Sequence, residues 1–517
     1  MKPKKTDESK SAVNEEVAQI QTGGFLSYIN SCDKLNIISV LIVVVSISVI
    51  SYIGVDECKK CFINQNRLKA QTKLNLKKYS VYGRNSQDGH LRHVFAVLDR
   101  IGFEQTDVSG DWDLLWAHDY PFRVHYDILK NLKFHQKVNH FPGCGYLTNK
   151  VDLATSGLRY IPPAFKLPAQ KDSLLKFSSE NPEKKFVIKN NDHRNVRVKD
   201  LSEIDLNAND SFVQEFIDNP LLVSGYWFDI GIYTIITSVD PLRIYMYNGD
   251  ALLRFCPEKY RPFDRNNLDK YVVGDDYLPT WEVPGLQYYY NELGFGMRDS
   301  LNAYLLAEGK DPSVIWSQIE DAIRIAVLAK EPLINDVVKR FKSKDNFFEM
   351  MRIDFVVDQN LKVSLMEANM SPNLSSAHFK PNQLLYEQVI FNLFGLIGIG
   401  QRLHKSTLAS RSQEEELMQS AEKNIAVMGG ECKSDKCKEC LSEECKLCKP
   451  CMSADIHEQL LLAHKEHLNR GDCKRIFPPP MVPGEDLPED YDDYSANNKI
   501  ITRWFYEKCA MDSTWCN

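Results

Sequence analysis

An uncharged run from Leu35 to Val55, LNIISVLIVVVSISVISYIGV, constrains this chain more than any other feature. At about 1.5 Å of rise per helical residue it is long enough to cross the roughly 30 Å hydrocarbon core of a bilayer. It is apolar on every side and flanked by polar sequence, unlike a core helix. It also starts well inside the chain and ends without a small-residue cleavage pattern, unlike a signal peptide. A single transmembrane helix over residues 35–55 is therefore expected. Lys59, Lys60, Arg67 and Lys69 follow the run, whereas Lys34 alone immediately precedes it. The positive-inside tendency then puts the large C-terminal portion in the cytosol, although Lys2, Lys4, Lys5 and Lys10 pull the other way.

The rest of the chain has the composition of a folded protein. Of its 517 residues 43% are hydrophobic and 26% charged, which excludes collagen-like and wholly disordered bulk. A formal net charge of -7 gives no reason to expect a nucleic-acid partner. The expected organisation is a disordered polar tail (1–34), the membrane helix (35–55), a basic linker (56–78), one folded domain (79–400), and a charged helix with a Cys-rich tail (401–517). Nine of the 14 cysteines lie between Cys432 and Cys516. The cluster reads in two ways. In an oxidising lumen it is a disulfide-stapled module; in the cytosol it is a thiolate site holding structural zinc at Cys437, Cys440, Cys445 and Cys448. Sequons at Asn209, Asn369 and Asn373 bear on the same choice.

Within 79–400, short β-branched runs (FVIK at 186–189, GIYTIITSV at 231–239, LRIYMYN at 242–248) alternate with amphipathic stretches, of which 319–341 reads as a helix. This order predicts an α+β domain with antiparallel sheet. The run RIDFVVDQNLKVSLMEAN reads as a hairpin turning at Gln359–Lys362, pairing Asp354 with Glu367, Val356 with Leu365 and Asp358 with Val363. With a period of two, Asn369 shares the face of Glu367. Two carboxylates and an amide oxygen brought together suit a hard cation such as Mg²⁺.

The stretch FVQEFIDNPLLVSGYWFDIGIYTIITSVDPLRIYMYNGDALLRFCPEKY (212–260) resembles the tubulin tyrosine ligase-like family. The family's patterns there are Q-x-Y-I-x-x-P-L-L-I, K-F-D-I-R, V-T-S-x-x-P-L-x-x-Y and G-x-x-R-F. VNHFPGCGYLTNKVDL, YIPPAFKLP and the hairpin with its MSPNLSS sequel resemble further motifs of the family in order, so the likeness covers about 300 residues. The resemblance implies an ATP-grasp fold and an ATP- and Mg²⁺-dependent ligase joining an amino acid to tubulin, with the polyglutamylase branch and glutamate expected. Carried over by position, it implies that Lys189 and Lys150 contact the nucleotide phosphates. Gln214, Glu215, Phe216 and Ile217 form the adenine hinge, and Asp229 belongs to the nucleotide site. Asp354, Glu367 and Asn369 hold magnesium, and Arg254 holds the carboxylate of the incoming amino acid. Arg254 and Glu367 are the catalytic pair.

Three departures stand out. The stretch Asn190–Asn195 after Lys189 contains no glycine where backbone amides are expected to cradle phosphate. K-F-D-I-R reads Trp227, Phe228, Asp229, Ile230, Gly231, without either cation. VVGDD puts Asp275 and Asp276 where the family has H-L-T-N. The expected function is accordingly a membrane-anchored glutamylase of tubulin, with a weak or inactive ligase-like binding protein, or a lumenal ligase with another acceptor, as the alternatives.

Overall fold

The computed structural model describes residues 77–84, 89–190, 196–209, 211–400 and 419–517, together with Val45 and Lys59. The Leu35–Val55 run and the Asn190–Asn195 stretch fall essentially outside the described residues. Among the described residues no helix is long and apolar enough to cross a membrane.

The described strands form three sheets. The first contains β1 (Lys78–Tyr82), β2 (Glu104–Gln105), β3 (Leu114–Ala117) and β4 (Lys137–Val138), in the order β2-β1-β3-β4. All its pairings are parallel, an addition to the expected antiparallel sheet, which the other two sheets supply. The helix α1 (Arg92–Arg100) is the crossover that lets β1 and β3 run the same way. The second sheet contains β5 (Ala164–Leu167), β6 (Phe186–Asn190), β7 (Arg197–Lys199) and β8 (Ser211–Glu215), antiparallel in the order β5-β8-β6-β7.

The third sheet is built around β9 (Tyr226–Val239), a 14-residue strand rich in Ile, Tyr and Thr. Its length lets one edge take two partners in succession, β10 (Leu242–Tyr247) on the C-terminal half and β11 (Leu252–Lys259) on the N-terminal half. β12 (Leu278–Pro279) extends the sheet beyond β11. The other edge of β9 takes β13 (Glu349–Val357), which is buried along its whole length and pairs onward with β14 (Val363–Asn369).

The hairpin register is as expected at the functional end and differs beyond it. Asp354 stands opposite Glu367, but a shift between Asp354 and Phe355 puts Phe355 opposite Leu365 and Val357 opposite Val363. A bulge at Met366 takes up one residue and breaks the period of two. Leu365 and Ala368 can thereby both be buried, while Met366 and Glu367, consecutive in sequence, both face the cleft described below.

The long helix α2 (Ser313–Val338) starts a turn and a half earlier than the 319–341 pattern suggested, directly after Pro312, and contains Pro332. Its stripe of Ile315, Ile319, Ile323, Ala326 and Val327 joins the main core formed with the large sheet.

The C-terminal region is not an appended tail in its described part. α3 (Ala454–Asn469) and β15 (Cys473–Phe477) follow the Cys cluster, and β15 pairs with β10 to complete the large sheet. Arg243 of β10 is fully buried and donates from Nε to Glu466 Oε2 of α3 at 2.8 Å and from Nη2 to Oε1 at 3.1 Å. Tyr245 and Thr237 donate to the same carboxylate. The buried charges are thus fully partnered, the condition under which such a pair is tolerated in a core.

The zinc expectation is corrected. Cys432–Cys448, Cys437–Cys445 and Cys440–Cys451 are disulfides, and Cys509–Cys516 is a fourth. Cys437, Cys440, Cys445 and Cys448 belong to three different bridges, and a sulfur bonded to sulfur has no thiolate to offer a metal. Three interleaved bridges replace the apolar core that so short a segment lacks. Peptide mapping by mass spectrometry without reduction should recover these four linkages, with Cys473 as a free thiol. Four alkylatable thiols at Cys437, Cys440, Cys445 and Cys448, or bound zinc, would restore the metal reading.

Candidate active site

A cleft of about 990 Å³ is lined by residues of the second and third sheets and by the 268–276 segment. Its apolar lining includes Val187, Phe212, Phe216, Trp227, Val356 and Met366. Phe216 packs on Trp227 at 5.5 Å and on Tyr271 at 5.8 Å between ring centroids. A slot walled by aromatic and aliphatic side chains is suited to a flat heterocycle.

The polar end is assembled by strand register. Asp229 of β9 stands opposite Arg254 of β11, Gly231 of β9 opposite Asp354 of β13, and Asp354 opposite Glu367 of β14. These positions share one sheet face, so the side chains converge. Arg254 donates from Nε to Asp229 Oδ1 at 2.9 Å and from Nη2 to Asp229 Oδ2 at 2.6 Å, and from Nη2 also to Asp354 Oδ2 at 3.0 Å. Arg352 grips Asp354 with a two-pronged contact, Nε to Oδ1 at 2.7 Å and Nη2 to Oδ2 at 2.9 Å. The Asn369 amide donates to Asp354 Oδ2 at 3.0 Å and to Glu367 Oε1 at 3.1 Å.

Two lysines complete the cluster. Lys150 opens a short helix, Lys150–Ala154, whose first turn is capped by Asn149, the side chain accepting from Val151 N and Asp152 N. This turn carries the Lys150 ammonium to 2.8 Å from Glu367 Oε2. Lys189, near the end of β6, donates to Gln214 Oε1 at 2.8 Å, and the Gln214 amide donates in turn to Pro162 O. Gln214, expected at the hinge, therefore uses its buried side chain to hold Lys189, while Glu215, Phe216 and Ile217 line the cleft. Glu215 is ion-paired with Lys184 at 2.6 Å.

Electrostatics follow from this placement. Burial alone raises the Glu367 carboxyl, but the charge and hydrogen bond of Lys150, the Asn369 amide and Arg352 outweigh it and bring it down to about 2. Burial also raises Asp229, and the Arg254 guanidinium only partly opposes it. Burial lowers the Lys189 ammonium to about 8, with Glu367 pulling upward and Lys150 downward. At the polar end Lys150, Arg254 and Arg352 pair with Glu367, Asp229 and Asp354 and Lys189 lies beside them, while Glu215, Asp269, Asp275 and Asp276 add further carboxylates to the lining, so an anionic ligand is favoured at that end alone.

The donor set fits magnesium. Asp354, Glu367 and Asn369 offer two carboxylates and an amide in reach of one another, and a half-turn of the Asn369 amide replaces its nitrogen by an acceptor oxygen. The sequence-predicted residues are thus brought together, with Arg254 engaged by two carboxylates rather than standing alone. Asp275 and Asp276 line the cleft and are exposed. Sequence reasoning passed over Arg352. The available signal was an arginine two residues before Asp354 on the same strand face.

Residues 127–405 match the profile of the Tubulin-tyrosine ligase family. The chain is similar to "Probable tubulin polyglutamylase ttll-15" of Caenorhabditis elegans, 42% identical with 84% of this chain and 85% of the relative aligned. It is 27% identical to "Tubulin polyglutamylase TTLL6" of Mus musculus, over 63% of this chain and 41% of the relative. It is also 27% identical to "Tubulin monoglutamylase TTLL4" of Homo sapiens, over 55% of this chain and 25% of the relative. The chain belongs to the tubulin-tyrosine ligase family. It spans most of the worm relative and less than half the length of the two mammalian ones.

If Lys189 contacts phosphate, as the resemblance implies, it does so as the charged ammonium. Affinity for a nonhydrolysable ATP analogue with Mg²⁺ should fall about tenfold between pH 7 and pH 9 as the ammonium titrates through about 8. The sign for stability is opposite. Because the folded value lies below the unfolded 10.5, the cost of burying this charge applies below pH 8 and is relieved as pH rises towards 10.5. Calorimetric titration of wild type and Lys189→Met checks the affinity; a flat wild-type profile would remove Lys189 from the phosphate site.

Proposed function

We propose that the chain is an ATP- and magnesium-dependent ligase that adds glutamate to glutamate side chains of tubulin tails. The observation that carries this reading is the convergence of Asp354, Glu367, Asn369, Lys150 and Lys189 at one end of an apolar-walled cleft between two antiparallel sheets. That arrangement is the one an ATP-grasp fold requires, and the similar proteins named as glutamylases support both glutamate and tubulin as substrates.

In this reading the aromatic slot takes the adenine, with the Glu215–Ile217 backbone at its edge, and Lys150 and Lys189 neutralise the phosphates. An acceptor carboxylate attacks the γ-phosphorus, the bond to the β-γ bridging oxygen breaks, and ADP leaves with an acyl phosphate formed. The amine of the incoming glutamate then displaces phosphate, giving the isopeptide bond and inorganic phosphate. Asp354, Glu367 and Asn369 would hold magnesium, which would supply charge neutralisation at the phosphates. Arg254 orients the carboxylate of the added amino acid, a task suited to a planar guanidinium. The side chains position and stabilise; none forms a covalent bond.

The full chain with ATP, Mg²⁺, tubulin and labelled glutamate should yield labelled tubulin, and Glu367→Gln should reduce incorporation by about a hundredfold or more. Absence of product beside an active control ligase would favour a ligase-like binding protein instead.

A second reading concerns where the site works. In either case the uncharged run at 35–55 is the proposed membrane anchor. A cytosolic ligase domain gives direct access to tubulin. The four disulfides favour an oxidising compartment, which would put the domain in a lumen with a different acidic polypeptide as acceptor. Asn209 and Asn373 are exposed sequons, whereas a glycan on Asn369 would block the cluster. Protease protection of the domain in intact membranes, with a glycosidase-sensitive mass at Asn209 or Asn373, is the outcome expected of a lumenal domain. Digestion with no glycan returns tubulin as the accessible acceptor.

A further inference from the structure

Gly231 sits where the K-F-D-I-R pattern has an arginine, in the middle of the otherwise large-residue strand β9. Glycine inside a strand forfeits packing and backbone entropy, so its presence in a buried sheet indicates that something else approaches the backbone there. Here that group is Arg352. A Cβ built on Gly231 would lie 2.8 Å from Arg352 Cδ, 3.3 Å from its Nε and 3.3 Å from Asp354 Oδ1. In the ladder Asp354 is the direct neighbour of Gly231, and Arg352 is the neighbour of Tyr233, one step along the same face. The Arg352 side chain therefore runs across the bare Gly231 backbone to reach both oxygens of Asp354 at 2.7 and 2.9 Å. Any larger residue at 231 would close that path.

We propose that Gly231 and Arg352 are the two halves of one exchange. The guanidinium that the family pattern carries on β9 is supplied in this chain from β13, and Arg352 is the positioning residue that fixes the carboxylate plane of Asp354. The role assigned to Asp354 rests on the ligase reading above. The exchange itself rests on the packing of Arg352 over Gly231. The loss of the motif arginine is then a relocation of charge, so this departure from the family pattern leaves the cluster electrostatically complete.

The test is a four-variant cycle in the full chain: wild type, Arg352→Gly, Gly231→Arg and the double exchange, with Arg352→Lys as a fifth protein. Two quantities are read on each, the melting temperature without metal or nucleotide and the affinity for Mn²⁺ with ATP, followed by electron paramagnetic resonance well below the melting point. Each single variant should melt lower and bind Mn²⁺ at least tenfold more weakly, and the double variant should return within about threefold of wild type. Arg352→Lys should stay weak, because an ammonium cannot grip both oxygens. A double variant no better than the worse single one would overturn the exchange, whether or not Gly231→Arg alone folds. Lowered melting with unchanged Mn²⁺ affinity in Arg352→Gly would overturn the positioning role. A wild type that binds no Mn²⁺ with ATP sinks the ligase reading separately, and the melting temperatures still decide the exchange.

Discussion

The interaction on which this structure turns is the neutralisation of three carboxylates on one face of the large sheet. Asp229, Asp354 and Glu367 are held close together in a partly water-excluded cleft, where unpartnered charges would cost several kcal/mol each. Arg254 bridges the first two, Arg352 grips the second and Lys150 pairs with the third. The cluster is therefore stable without a ligand and yet composed of groups that a cation and a polyphosphate can engage. Its formation requires β9, β11, β13 and β14 in one register, so the fold and the site depend on each other.

The same economy governs the C-terminal region. β15 occupies an edge of the large sheet that would otherwise present unpaired backbone groups, and α3 brings Glu466 to the buried Arg243. The segment between Gly430 and Cys451 has little apolar residue to bury and is held by crossed disulfides instead. The chain beyond the cysteine-stapled segment thus returns to the ligase core and completes its large sheet through β15. The redox demands of the stapled segment bear directly on which acceptors can meet the cleft.

Much of the site was legible in sequence because a period of two fixes which strand residues share a face. Asp354, Glu367 and Asn369 were placed together on that ground alone, and the hairpin pairing held as far as Asp354. It failed past Met366, since a bulge leaves no mark on composition. The parallel first sheet was missed because its strands are short and its pairings span distant segments. Arg254 was expected to hold the carboxylate of the incoming amino acid; the two carboxylates that engage it in the structure come from separate strands that no local pattern relates.

The sequence by itself determined the chemistry available: an uncharged run at 35–55, a carboxylate hairpin, two lysines in ordered motifs and a dense cysteine cluster. Only the tertiary structure decided how those groups are spent. It joined the cysteines to one another rather than to a metal, turned Gln214 inward to hold Lys189, and filled the space at Gly231 with Arg352. Periodicity and residue type act over a few neighbours and can be read along the chain. Which cation meets which carboxylate is set by packing between segments as distant in sequence as Lys150 and Glu367, and that exists only once the chain has folded.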